Sequence, residues 1–168
     1  MPDGTYYRPD PGLVLQPLPA APPQVWFGSW GSDVRLRSMA AVADGWFASA
    51  YNTTPEEFAG ARARLDRHLV AAGRDRLGFP DTVATMWSHI TRDAHEASHV
   101  LGNVLAPLLG RDPGRLAAQL PIGSPDHCAD FLQAYAAVGA RRILLWPVRD
   151  PIRQLEVFAE TVRPRLSA

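Results

Sequence analysis

The chain has 168 residues and no formal net charge, with 17 Lys and Arg against 17 Asp and Glu. This length is typical of one domain, and the zero net charge excludes a global field that would draw the protein to nucleic acid or to an anionic membrane. No apolar run approaches the roughly 20 residues of a membrane span. The single cysteine, Cys128, and the lack of a signal-peptide pattern predict a cytoplasmic protein without an internal disulfide.

The first 23 residues are predicted to form a β-hairpin and a linker. Thr5 to Arg8 and Leu13 to Gln16 can pair across Pro9-Asp10-Pro11-Gly12, which is a strong turn signal. Residues 17–23 are rich in proline and alanine, a composition typical of an extended linker. We therefore expect residues 24–168 to form the globular part of the chain.

A strand, a glycine-bearing turn and a helix are predicted from Gln24 onward. The apolar run Val25 to Phe27 is typical of a buried parallel strand. Ser32 or Asp33 can cap the helix that follows, and Gly45 is expected to end it in a left-handed conformation. The apolar side of this helix is expected to consist of Val34, Met39, Val42 and the alanines.

The turn from Gly28 to Ser32 has the ingredients of an anion site. A helix N-terminus presents free backbone N–H groups, and the helix dipole favours a negative charge there. The turn is therefore a candidate cradle for a phosphate. The alternative is a tight connection between strand and helix that binds no ligand.

Three more strands and five more helices are predicted along the rest of the chain. The strands are Trp46 to Tyr51, Thr82 to Ile90 and Arg142 to Pro147. The helices run from Pro55 to about Ala72, from Ala94 to Leu109, from Asp112 to Leu120, from Pro125 to Val138 and from Pro151 to near Pro164. Capping boxes are predicted at Thr54 with Glu57 and at Asp93 with Glu96. Four strands that alternate with helices predict an α/β fold of four parallel βα units, half of a (β/α)8 TIM barrel.

Several of these segments resemble the luciferase-like monooxygenase family. The resemblance rests on residues 26–33 (Trp-Phe-Gly-Ser-Trp-Gly-Ser-Asp), 43–46, 54–58, 123–127 and 143–147. It implies an oxidoreductase that uses FMN or coenzyme F420 and acts on a small-molecule substrate, either with incorporation of molecular oxygen or by hydride transfer. In the family the glycine-rich turn contacts the cofactor phosphate, which implies that role here for Gly28, Ser29, Trp30, Gly31 and Ser32. Ser29 and Trp30 depart from the Gly-Gly pair that is common at this turn.

The resemblance covers essentially the whole chain but only the C-terminal half of the family pattern. We therefore expect a truncated form with little activity alone. The outer strands, Val25 to Phe27 and Ile143 to Trp146, would then expose unpaired edges. This predicts self-association or pairing with a complementary half-barrel chain. A non-catalytic half-barrel binding module is the alternative.

A second alternative is a zinc hydrolase, because His95-Glu96-Ala97-Ser98-His99 matches the pattern H-E-x-x-H. On a helix the two histidines share a face and can bind one zinc ion, while the glutamate can activate water. No third ligand follows, since Leu105 stands where one metalloprotease pattern has histidine. We therefore predict no metal site.

Other candidates follow the carboxyl ends of strands, the face that carries chemistry in a barrel. Tyr51 and Asn52 follow one strand. His89 is either a structural histidine or a base. The run Trp146 to Arg149 ends in an arginine that could bind an anionic group or pair with Asp150 or Glu156.

Three further positions are predicted to have ordinary structural roles. Gly123-Ser124 is a possible second anion site, although a plain N-cap is the favoured interpretation. Cys128 is predicted to be a small, partly buried side chain. His68 is predicted on a solvated face. The sequence identifies no catalytic acid or base.

Overall fold

The computed structural model describes residue 12 and residues 16–166. Helices and strands alternate along this part of the chain. The strands are β1 (Trp26–Ser29), β2 (Gly45–Ser49), β3 (Asp81–Ile90), β4 (Ile122–Gly123) and β5 (Ile143–Pro147). The helices are α1 (Asp33–Val42), α2 (Pro55–Ala71), α3 (Ala94–His99), α4 (Ala106–Leu109), α5 (Pro113–Gln119), α6 (Pro125–Ala137) and α7 (Pro151–Val157).

All strand pairs are parallel, as the alternation of strands and helices predicts. β1 pairs with β2, and β2 pairs with β3. β3 pairs with β5 over most of its length and with the two-residue β4 near its carboxyl end. Within the described residues β1 and β5 each have one partner, so the sheet stays open, with the outer strands that the sequence predicts. The expected number of strands was wrong: β4 is a fifth strand.

A β-bulge in β3 separates its two halves. The register with β5 shifts between Val83 and Met86, and Thr85 between them has a φ of 56°. The Thr85 hydroxyl donates a hydrogen bond to the Ala84 carbonyl oxygen, 2.6 Å away. An extra residue bends a strand locally, and it keeps both Val83 and Met86 on the face of the sheet that packs against helices.

The hydrophobic core lies between the sheet and the helices. Trp46 stacks on Phe58 of α2 with 5.4 Å between ring centroids, and Tyr135 of α6 meets Phe58 at its edge. A second, smaller cluster lies between β3, β5 and the last two helices. Its buried members are Ile90, Cys128, Ala129, Leu132 and Val162.

Helix α2 follows its sequence signals closely. Thr54 accepts a hydrogen bond from the Glu57 N–H while the Glu57 carboxylate accepts one from the Thr54 N–H, which completes the predicted capping box. Phe58, Leu65 and Leu69 of this helix are all buried. Local capping and a regular apolar face together explain this agreement.

Helix α1 differs from the prediction at its end and on its buried side. It ends at Val42, and Gly45 opens β2 instead of ending the helix. A Cβ at Gly45 would lie 2.5 Å from the Trp26 ring, so glycine is needed for close packing and not for a left-handed turn. Val34 and Val42 are exposed, whereas the buried residues are Leu36, Met39 and Ala40.

The predicted helix from Ala94 to Leu109 contains a π-helical segment, Val100–Leu105, between α3 and α4. Asp93 caps α3 by accepting hydrogen bonds from the His95 and Glu96 N–H groups. The Glu96 carboxylate does not accept a hydrogen bond from the Asp93 N–H in return, so the predicted capping box is incomplete among the described residues. Instead the Asp93 N–H donates to the Thr91 hydroxyl oxygen, which leaves the Glu96 carboxylate available for a different contact.

Aromatic side chains cover the face of the sheet that points away from the helices, here called the open face. Trp26 lies against Phe47, with ring centroids 4.9 Å apart, and Trp87 meets Trp146 edge to face at 5.4 Å. Leu144 and Trp146 of β5 remain 41% and 44% exposed. These five residues form two apolar groups on the open face, one on β1 and β2 and the other on β3 and β5.

The predicted hairpin falls almost wholly outside the described residues. Residues 17–23 are exposed and form neither helix nor strand. None of the helices in the described part of the chain is both long and apolar enough to cross a bilayer.

Candidate functional site

The turn between β1 and α1 is held in place by contacts from distant parts of the chain. Gly31 is buried with a φ of 89°, and its backbone packs so closely on α2 that a Cβ would lie 2.7 Å from the Ala61 Cβ. The Trp46 indole N–H donates to the Ser29 carbonyl oxygen, and Arg64 donates to the Gly31 carbonyl oxygen, each at 3.0 Å. The turn is therefore a rigid platform at the carboxyl edge of the sheet.

The N-terminus of α1 lacks a side-chain cap. Ser32 occupies the N-cap position with extended backbone angles, but its hydroxyl accepts no hydrogen bond from the first turn. This corrects the expectation that Ser32 or Asp33 caps the helix. A helix of ten residues then presents its first N–H groups outward, where an anion can accept them. The Gly31 N–H is not among these donors, because it is bonded to the Ser29 hydroxyl oxygen at 3.1 Å.

Two neighbours set the electrostatics of this helix end. Asp33 lies 2.9 Å from the His68 Nε2 and 3.4 Å from Arg37. The hydrogen bond from His68 lowers the pKa of the Asp33 carboxyl. His68 is thus a partner of the turn region and not a residue of a merely solvated face. The Arg37 guanidinium partly offsets the negative charge of Asp33 at the helix end, and His68 holds its carboxylate by a hydrogen bond.

Open space surrounds the first glycine and the tryptophan of the turn. A Cβ at Gly28 would have no atom within 4 Å. Trp30 is 61% exposed and borders a groove of about 420 Å³. The groove also contacts Asn52, Glu56 and Arg64. Of the five residues from Gly28 to Ser32, Trp30 lines this groove and Gly28 has open space of its own.

A second polar group lies at the carboxyl end of β3. The His89 Nε2 is 3.0 Å from one Glu96 carboxylate oxygen, and the Thr91 hydroxyl donates to the other at 2.5 Å. These hydrogen bonds, from Thr91 and then from His89, hold the pKa of the Glu96 carboxyl below its ordinary value. Because a carboxylate only accepts, Nε2 is the donor in this contact, and Nδ1 is the other ring nitrogen. That Nδ1 is buried without a partner among the described residues.

The sequence indicated His89 but not its partner, because Glu96 was assigned to a helix cap. The available signal was topological: the residue that ends a strand and the first turn of the next helix meet at the same edge. The literal zinc motif is used differently here. Glu96 is bonded to His89 and Thr91, while His99 lies 3.5 Å from Arg149. Among the described residues no group of three or more His, Cys, Asp or Glu is placed to hold a metal ion.

The remaining candidates have structural contacts. Asn52 accepts a hydrogen bond from Arg111 at 2.7 Å, and its amide donates to the Ser49 hydroxyl oxygen. Ser124 caps α6 by accepting from the His127 N–H, as the favoured interpretation predicted. The contact of Arg149 is with His99 and not with Asp150 or Glu156.

Cys128 is buried and chemically quiet. Its side chain packs in the second core cluster, and the thiol donates to the Pro121 carbonyl oxygen. Burial raises the pKa of this thiol to about 12. A thiol that stays protonated at neutral pH is a poor nucleophile.

The model of the luciferase-like monooxygenase family matches residues 2–115. The chain belongs to this family. The match includes three of the segments that carried the resemblance, 26–33, 43–46 and 54–58, whereas 123–127 and 143–147 lie outside it. No curated relative matches the chain.

Solved structures of family type share the fold. An F420-dependent secondary alcohol dehydrogenase in complex with an F420-acetone adduct is 13% identical with a TM-score of 0.79, over 98% of this chain and 55% of that one. The coenzyme F420-dependent tetrahydromethanopterin reductase from Methanopyrus kandleri is 16% identical with a TM-score of 0.60, over 86% of this chain and 51% of that one. The EDTA monooxygenase from Chelativorans sp. BNC1 is 18% identical with a TM-score of 0.62, over 96% of this chain and 48% of that one.

These similarities confirm the predicted α/β half-barrel. The chain spans about half the length of these neighbours, and its parallel sheet is open where a full barrel closes. At such low identity the similarity concerns the fold alone.

Proposed function

We propose that this chain forms the phosphate-holding half of a luciferase-like oxidoreductase that binds FMN or coenzyme F420. The observation that carries the proposal is the uncapped N-terminus of α1 beside a rigid glycine turn. The structural neighbours include F420-dependent enzymes and an FMN-containing riboflavin lyase. Either cofactor brings a phosphate group, so the same cradle serves both.

Each residue of the cradle has a distinct part in this proposal. The N–H groups of Ser32 and the first turn of α1 donate to the phosphate. Gly28 leaves space for its approach, since no atom lies within 4 Å of a Cβ there. Ser29 fixes the Gly31 N–H, and Trp30, exposed beside the groove, covers the bound group.

The open face supports a place for the ring system and the substrate. Two aromatic pairs lie there, Trp26 with Phe47 and Trp87 with Trp146. These four side chains, here called the aromatic wall, can pack on a flat ring and exclude water. A bound flavin or F420 supplies the redox chemistry, by hydride transfer or by reaction with molecular oxygen. The residues of this chain position the group and shield it. No acid or base is assigned.

We also propose residues 24–168 as the folding unit and expect little turnover from this chain alone. The aromatic wall is open on one side within the described residues, so a bound ring would stay in contact with water. A non-catalytic half-barrel binding module is the second candidate, favoured by the exposed β5 edge with Leu144 and Trp146. Such a module would pair with another chain without holding a flavin-type cofactor.

The phosphate cradle is tested by replacing Gly28. Gly28→Asp puts a carboxylate next to the phosphate, whereas Gly28→Asn adds a side chain of nearly the same size without charge. Two like charges at about 4 Å repel by about 1–4 kcal/mol across the dielectric range of a protein surface. We therefore expect Gly28→Asp to weaken binding of FMN or F420 by about tenfold or more, with a much smaller change in Gly28→Asn.

The measurement is a fluorescence titration of each purified variant with FMN and, separately, with F420. Far-UV circular dichroism confirms that both variants fold. Equal affinities of the Asp and Asn variants would place the phosphate elsewhere. No binding of either cofactor to the wild-type chain would favour the binding module.

A further inference from the structure

A cavity lies on the helix-facing side of the sheet, away from the open face and the phosphate cradle. Its volume is about 290 Å³, and its walls come from β3, β5, α6, α7 and the helical turn after α7, with Ser88, Leu132, Leu145, Leu155 and Phe158 among the lining residues. At about 30 Å³ per water-sized group, this space accommodates about ten non-hydrogen atoms.

The chemistry of the walls excludes a charged occupant. No Asp, Glu, Arg or His lines the cavity among the described residues. The Cys128 thiol is neutral and bonded to the Pro121 carbonyl oxygen. Gln154 is also engaged, because its side-chain amide bonds both the N–H and the carbonyl oxygen of Ile90, at 2.7 and 3.1 Å. An unpaired charge moved into such surroundings is strongly disfavoured.

One polar group in the cavity has no assigned partner. Ser88 is 7% exposed and contributes to the cavity wall. Its carbonyl oxygen accepts from the Val148 N–H, but its hydroxyl has no hydrogen-bond partner within the described part of the chain. The hydroxyl oxygen is not among the buried side-chain atoms that lack a partner, so it faces the open space of the cavity. There it can bond to a ligand that carries one donor or acceptor.

The entrance lies along α7. Leu155 lines the cavity and is 67% exposed. Phe158, on the next turn, begins the π-helical segment Phe158–Val162. Single π-helical turns inside helices occur often at functional sites, because the extra residue shifts side chains out of their regular positions. This segment places Phe158 at the cavity wall.

We propose that this cavity binds a small, uncharged, mainly aliphatic molecule that carries one hydroxyl or carbonyl group, which bonds to the Ser88 hydroxyl. The site is separate from the proposed redox function, since it lies on the opposite face of the sheet from the aromatic wall. Its occupant has about ten non-hydrogen atoms. A medium-chain aliphatic alcohol matches this description in size, charge and polarity.

Octan-1-ol and n-octane are the probes, and binding is measured by displacement of fluorescent 1-aminoanthracene from the full chain. We expect saturable binding of octan-1-ol with one site per chain. Ser88→Ala should weaken octan-1-ol binding about three- to tenfold, as loss of one hydrogen bond predicts. It should change n-octane binding less than twofold, because n-octane makes no such bond.

A matched pair on α7 tests the entrance without touching the core. Leu155→Arg places a guanidinium at the mouth and should weaken both probes at least fivefold. Ile152→Arg is the control, because Ile152 is 77% exposed on the same helix and does not line the cavity. Absence of saturable binding, or equal effects of the two arginine variants, would overturn the proposal. These surface variants decide the question even if Ser88→Ala does not fold.

Discussion

Replacement of Gly31 by alanine measures how tightly the candidate turn is seated on α2. The φ of Gly31 is 89°, and a left-handed conformation costs an L-residue about 1–2 kcal/mol. The new methyl would also lie 2.7 Å from the Ala61 Cβ, well inside the ~3.5–4.0 Å of an ordinary carbon contact. Overpacking of this kind costs typically about 1–3 kcal/mol. We therefore expect a loss of about 2–5 kcal/mol in the free energy of unfolding.

The structure offers a matched control for the backbone contribution. Gly139 has a φ of 92°, but a Cβ there would meet no atom within 4 Å. Gly139→Ala should therefore lose only the strain of the left-handed backbone, about 1–2 kcal/mol. Urea denaturation followed by far-UV circular dichroism gives both values. The difference between the two variants isolates the cost of the contact with Ala61.

A double-mutant cycle tests the contact itself. Ala61→Gly removes the atom that the new methyl would strike, so it should recover about 1–3 kcal/mol in the Gly31→Ala background. In the wild-type background the same change should cost about 1 kcal/mol, since glycine is a poor helix former. Equal losses for Gly31→Ala and Gly139→Ala, with no coupling to Ala61, would refute the close seating of the turn.

Two further predictions concern the edge of the sheet and the stability of the fold at acid pH. The wild-type chain should self-associate as its concentration rises. Trp146→Lys should shift it toward monomer, because the lysine puts a charge on the exposed edge of β5. Size exclusion with light scattering measures both, and a sharp wild-type monomer at every concentration would contradict the prediction. The pKa of Glu96 lies below its ordinary value of 4.5. Its hydrogen bonds therefore stabilise the fold above about pH 4.5, and this contribution is lost as the pH falls through the folded pKa. In Glu96→Gln the free energy of unfolding, measured by urea denaturation between pH 3 and 6, should fall less at acid pH than in the wild type; this range lies roughly one to two pH units either side of the ordinary pKa. The same loss of stability at acid pH in both proteins would contradict the role of the Glu96 hydrogen bonds.

Local signals in the sequence were sufficient for most of the secondary structure. Thr54 and Glu57 lie three residues apart and cap α2 without help from the rest of the chain. Gly73 and Gly139 each follow a helix with positive φ, as helix-ending glycines do. Alternation of strands and helices was enough to predict a parallel sheet. These features depend on neighbouring residues in the sequence, so they can be predicted without knowledge of the rest of the fold.

Predictions failed where a distant side chain decides the local structure. Gly45 was expected to end a helix, but the Trp26 ring in the neighbouring strand is what requires glycine there. β4 has only two residues, too few for any periodicity, and it exists because β3 offers it an edge. Glu96 had a plausible local partner, yet His89 and Thr91 bind it instead.

The candidate site divides in the same way. The sequence alone determined that a glycine turn connects a strand to a helix N-terminus, because strand, turn and helix signals are contiguous there. Only the tertiary structure decided that Ala61, Arg64 and Trp46 hold that turn in place. It alone also created the open aromatic face and the cavity at Ser88, since both are bounded by elements far apart in the chain. Contacts between distant residues depend on how the elements pack, and packing is not encoded in any single stretch of sequence.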